Sequence, residues 1–180
     1  MTDSTFTGDT FRALVSIPAT ASGISISTSK LDASVVLLGS NCTLSGSDII
    51  GTVDISTAGY QYIKVVNCDI TLNCTILSGN CVITGNTVHD SIFLGSSGVD
   101  VGGTIVSHNI LENATGCIQI EGFAATTKCV ISNNRVVGHG TTNAKSIEFV
   151  AATIACMCIG NVTDATVVDT ATGSTLANNI

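Results

Sequence analysis

The sequence predicts an all-β fold, a parallel β-helix of about six coils, and three observations lead there. The first is a repeat: Cys81-Val-Ile-Thr-Gly-Asn86-Thr-Val88, Thr104-Ile-Val-Ser-His-Asn109-Ile-Leu111, Cys129-Val-Ile-Ser-Asn-Asn134-Arg-Val136 and Cys156-Met-Cys-Ile-Gly-Asn161-Val-Thr163. Its asparagines are 23, 25 and 27 residues apart, the length of one rung of a solenoid. The second is composition, rich in Val, Ile, Thr, Ser, Gly and Asn, with one proline and no tryptophan. These are strand and turn residues, and helix formers are scarce. The third is charge: 11% of residues are charged, against about 25% in an ordinary domain.

Residues 1–30 do not carry the repeat and are expected to form a capping or attachment segment, with residues 31–180 as the β-helix domain. Within the first segment, Thr10 to Pro18 is amphipathic and ends at the single proline. It reads either as a plug over the first coil's open backbone edge or as a plain edge strand. Extending the repeat upstream places Ile63, Val65, Asn67 and Cys68 in one coil, with cysteine in the asparagine position. Val36, Leu38, Ser40 and Asn41 fall in the coil before it. The step from Cys68 to Asn86 is 18 residues, short beside the others.

In the coils that carry the repeat, the positions five and three residues before each asparagine hold Cys81 and Ile83, Thr104 and Val106, Cys129 and Ile131, and Cys156 and Cys158. Two residues is the period of a strand with one buried face, so both columns point inward. The residue just before each asparagine is Gly85, His108, Asn133 or Gly160, types that tolerate positive φ, so a corner is expected there. Asn86, Asn109, Asn134 and Asn161 then form an inward ladder, each amide bonding to the coils above and below. A second strand follows as Cys74/Ile76, Ile92/Leu94, Ile118/Ile120 and Ile147/Phe149, after gaps of varying length. Those gaps are where loops project, the longest near Val137 to Lys145. After Thr163, Val167 falls where a last second strand would begin, and the polar tail beyond it is expected to cap the far end.

Eight cysteines raise the question of disulfides or metal. Cys81, Cys129, Cys156 and Cys158 read as core thiols, since free cysteine is among the most buried residue types. Cys42, Cys74 and Cys117 read as less buried and able to bridge between chains. Cys156-Met-Cys158 lacks the two-residue gap of a zinc knuckle, so no metal and no cofactor are expected. Four Asn-Xaa-Thr sequons, at Asn41, Asn73, Asn113 and Asn161, are assigned no role in so Asn- and Thr-rich a chain.

The candidate catalytic group is acidic: Asp90 beside His89, Asp100, and Glu112 near His108. Carboxylates on adjacent coils that line one groove are the arrangement used for glycosidic cleavage. No spacing sets their separation, and Arg135 is about a coil away from His108, so these are weak carbohydrate-site candidates and no enzyme is expected. A net charge of −7 with six scattered Lys and Arg argues against nucleic acid as a partner. No apolar run reaches the roughly 18 residues that cross a bilayer, and no basic start with an apolar core marks a secretory signal.

A mean hydropathy of +0.51 exceeds what one slim solenoid can hide. Val82, Ile105, Val130, Met157 and Ile159 alternate with the inward positions and so point outward. An exposed strip of that kind marks a subunit contact, and a homo-oligomer is expected, with a trimer the favoured ring.

The Val-Ile-Ser-Asn-Asn-Arg-Val segment and its three sisters resemble the right-handed parallel β-helix of the pectate-lyase-like superfamily. Within it, the short chain, low charge and Thr/Ser/Gly/Asn bias are similar to trimeric virion proteins of tailed bacteriophages. The resemblance spans about Val36 to Val168. It implies a right-handed coil and a structural virion role: a trimeric capsid decoration, or cement, protein bound to the major capsid protein or another virion protein. It would act in a virion assembled in the host cytoplasm. The alternative is a tailspike or adhesin module that binds or cleaves host surface polysaccharide.

Overall fold

The computed structural model describes residues 2–56, 61–95, 99, 101–112, 118–122, 127–137, 145–149, 155–169 and 173–180. Its described strands fall into three parallel sheets of nine, eight and eight, and each strand pairs with the corresponding strand one coil away. The chain visits the sheets in rotation, as in Thr43–Ser45, Asp48–Ile49 and Val53–Ile55, then Lys64–Val66, Asp69–Ile70 and Cys74–Ile76. The result is a parallel β-solenoid of eight three-strand coils followed by a ninth strand of the first sheet.

Two expectations are revised by this count. The coils exceed six, and residues 1–30 are not a separate cap: Thr5–Thr7, Thr10–Phe11 and Val15–Ile17 are the first coil, in register with Ser25–Ser27, Lys30–Leu31 and Val35–Leu37. The early coils hide from a search for asparagine because they use other side chains in the ladder.

From the middle of the molecule upward the ladder is made of asparagine amides. Asn86 donates its backbone N–H to Asn109 Oδ1 at 2.9 Å and its Nδ2 to the same oxygen at 3.0 Å, while Nδ2 also reaches Val65 O at 3.0 Å. Asn109 repeats the set toward Asn134, Asn134 toward Asn161, and Asn161 toward Asn179. Below Asn86, Cys68 donates its N–H to Asn86 Oδ1 at 2.9 Å. Lower still, Ser47 Oγ accepts from Ser29 N at 3.1 Å, and Ser29 Oγ accepts from Asp9 N at 3.2 Å. Each serine hydroxyl donates to the carbonyl two residues back. Ser29, Ser47 and Cys68 thus hold the place of the asparagines, and all three are buried. Asn41 does not: it is exposed, at the other end of its strand, and Ser47 is the ladder residue of that coil. Val36 and Leu38 are likewise only half-buried, with Val35 and Leu37 pointing inward beside them.

The short step proves to be the basic coil. Eighteen residues separate Ser29 from Ser47, Cys68 from Asn86, and Asn161 from Asn179. The steps of 23, 25 and 27 residues keep the register of the first sheet. In the third sheet the strands lengthen to Ile118–Gly122 and Lys145–Phe149, and the register slips once, between Lys145 and Ile147. The second-strand positions lie in the third sheet, where Cys74↔Ile92 and Ile76↔Leu94 are partners. Most of the predicted long loop after Val137 falls outside the described residues.

The corner before the ladder is left-handed in every coil: Gly85, His108, Asn133 and Gly160 have φ of 69°, 56°, 55° and 66°. The corners also interlock. A Cβ on Gly85 would run into Asn67 Oδ1 of the coil below, and one on Gly160 would meet Asn133 Oδ1 at 2.8 Å. At these two levels the asparagine below fills the space that a Cβ above would need. A second left-handed corner, unsignalled in the repeat, precedes each first-sheet strand at Asn41, Tyr62, Asn80, Gly103, Lys128 and Ala155.

Inside, side chains stack on like side chains. Ile26, Leu44, Val65, Ile83, Val106, Ile131 and Cys158 form one first-sheet column, all with 2% exposure or less. Burying each is worth about 1.5–3 kcal/mol.

Asn109→Ala removes the acceptor for two buried donors of Asn86. At about 1–3 kcal/mol for each unsatisfied group, the urea unfolding midpoint should fall by the equivalent of about 2–4 kcal/mol, and an unchanged midpoint would show that the ladder does not carry stability. Gly85→Ala should also destabilise, and part of the loss should return in the Asn67→Gly/Gly85→Ala double variant, read as a coupling term in a double-mutant cycle.

Candidate functional site

On the described surface, one corner has a row carrying apolar side chains on each side of it. Along the outer face of the first sheet, Lys64, Val82, Ile105, Val130 and Met157 are partners in successive coils. Ile105 is 39% exposed and Met157 41%, while Val82, Val130 and Ile159 are half-buried. Around the left-handed corner, the outer face of the second sheet runs Asp69, Thr87, Ile110, Arg135 and Val162. Here Ile110 is 39% exposed and Val162 46%.

The apolar strip read from alternation is thus one flank of a ridge that has two. Ile110 and Val162 escaped notice because they are the residues just after the ladder asparagines, and only the turn of the corner shows that they point outward. His108 is exposed at the crest, between the strands that hold Ile105 and Ile110.

Asp90 accepts from Ser91 Oγ at 3.1 Å, and His89 Nε2 lies 2.8 Å from Asp69 Oδ1 on an exposed surface. Glu112 meets Arg135 at 3.5 Å, both about half exposed. Asp100 lies outside the described residues. Asp54, which the repeat does not single out, is the carboxylate most affected by its surroundings: burial raises its pKa, and its Oδ1 is hidden from solvent without a hydrogen bond. It lies on the outer face of the third sheet, with Val36 and Thr75 as partners in the coils on either side. The same register row runs on through Phe93 to Glu121 and Glu148, which are partners in adjacent coils. Among the described residues no group of three His, Cys, Asp or Glu is placed to hold a metal ion.

Cys81, Cys129, Cys156 and Cys158 are fully buried free thiols. Cys42 and Cys74 are buried as well, at 1% and 0% exposure, which corrects the expectation that they could bridge between chains; Cys117 lies outside the described residues. Cys42 occupies the inward column of Ile63 and Cys81, and Cys74 that of Val53 and Ile92. Loss of hydration pushes the Cys81 thiol up to about 11 and raises Cys74 strongly.

Compared with protein families, curated proteins and solved structures, the chain matches none.

Thiols whose folded pKa lies above the unfolded value favour folding below the unfolded pKa, and that contribution is lost as pH rises through the folded one. Stability should therefore decline between about pH 9 and 11, where unfolded-chain thiols ionise first. A thiol reagent at neutral pH should leave the native core cysteines unlabelled and reach them in denaturant. Rapid labelling of Cys81 in the native protein would contradict this placement.

Proposed function

We propose that this chain is a structural, non-catalytic solenoid that works as a homo-oligomer, a trimer being the favoured ring. We place it in a bacteriophage virion, as a capsid decoration protein that clamps neighbouring shell subunits. The observation that carries the oligomer is the ridge, where Ile105 and Ile110 stand exposed on the sixth coil and Met157 and Val162 on the eighth. Apolar area left in water costs roughly 25 cal/mol per Å², and a continuous strip of it on a folded protein marks a contact. The virion setting rests on the sequence resemblance, together with a rigid rod built from many short coils and a surface poor in charge.

Light scattering on the purified chain should give three times 18.2 kDa at micromolar concentration. A well-behaved monomer would overturn the proposal. Incubation with a panel of bacterial surface polysaccharides should release no oligosaccharide, and release would put the carbohydrate-active reading in its place.

A further inference from the structure

The two flanks of the ridge differ chemically, and their sequence of residues along the stack decides how copies can meet. We infer that the contact is heterologous: the first-sheet flank of one copy packs on the second-sheet flank of the next, coil level with coil level, around an axis parallel to the stack. This rests on the homo-oligomer proposed above and specifies its surface.

Both flanks run along the stack from the fourth coil to the eighth, so only an axis parallel to it lets their whole lengths touch. Cyclic symmetry about such an axis keeps equal coils at equal height. The facing pairs are then Lys64 with Asp69, Val82 with Thr87, Ile105 with Ile110, Val130 with Arg135, and Met157 with Val162. Apolar meets apolar at the sixth and eighth levels. At the seventh, Val130 faces the aliphatic stem of Arg135, whose guanidinium is drawn aside toward Glu112. At the fourth, Lys64, which has no ion pair among the described residues, faces Asp69, whose Oδ1 also lies 2.8 Å from His89 of its own chain. Below this the flanks become polar, with Ser25 and Thr43 on one and Lys30 and Asp48 on the other, so the contact ends at the fourth coil.

An isologous contact fails the same comparison. A two-fold axis perpendicular to the stack and centred on the flank reverses the order, putting Lys64 against Met157 on the first sheet or Asp69 against Val162 on the second, which buries a charge against an apolar side chain. A two-fold axis parallel to the stack keeps the order and sets Lys64 against Lys64 or Asp69 against Asp69, which brings like charges together.

The test uses Ile105→Lys and Val162→Lys in the full chain, one on each flank and both at exposed positions. Circular dichroism and the unfolding midpoint check that each is folded; if either is not, Ile105→Ser and Val162→Ser replace them, read as at least a tenfold weakening of self-association. Alone, each variant should be monomeric by light scattering. Mixed, they should form a species of two chains, because one intact first-sheet flank and one intact second-sheet flank remain. Retention of the wild-type oligomer by either variant overturns the inference, and so does a mixture that stays monomeric. A wild-type chain that is itself monomeric overturns the oligomer proposal instead, which keeps the two failures distinct.

Discussion

The whole architecture depends on one polar side chain per coil that reaches the backbone of its neighbours from inside the core. A ladder asparagine such as Asn109 accepts a backbone N–H and an amide from the coil below, and donates its two amide hydrogens to a carbonyl of that coil and to the amide oxygen above. Such a group is expensive to bury without partners, so it holds the coils in register beside it. Coils of 18 and 27 residues therefore keep the same ladder. Lower in the stack serine does the same with one hydroxyl, accepting from the neighbouring coil and donating to its own strand.

Constraint at the ladder brings constraint at the corner beside it. Reversing direction within one residue places that residue in the left-handed region, and stacking many such corners brings side chains of one coil under the backbone of the next. Asn67 beneath Gly85 and Asn133 beneath Gly160 resolve that crowding in the same way. The tight corner also turns the residues on either side outward by a fixed amount. Ile105 and Ile110, only five positions apart, thus end on two flanks of one ridge.

The upper coils carry Ile105, Ile110, Met157 and Val162 along one ridge. The lower coils mix ion pairs such as Lys30 with Asp32 and Asp69 with His89 with the exposed apolar side chains of Leu14, Ile50, Tyr62 and Leu72.

Much of this was legible in the residues. Period-two burial around Asn86, Asn109, Asn134 and Asn161, the positive φ before each and the inward thiols all follow from side-chain type and spacing, because a buried amide and a left-handed corner admit few alternatives. The early coils were not legible: serine and cysteine are too common elsewhere for Ser29, Ser47 or Cys68 to announce a ladder, and the more conspicuous Asn41 drew the register one strand astray. The second flank was also hidden, since Ile110 and Val162 show no pattern until the corner angle is known. By itself the sequence determined the solenoid, because a repeated asparagine needs a repeated neighbour to satisfy it. Only the tertiary structure decided where the coils begin and which outward residues share an edge, because both depend on the path of the chain around a corner and not on the order of residues along it.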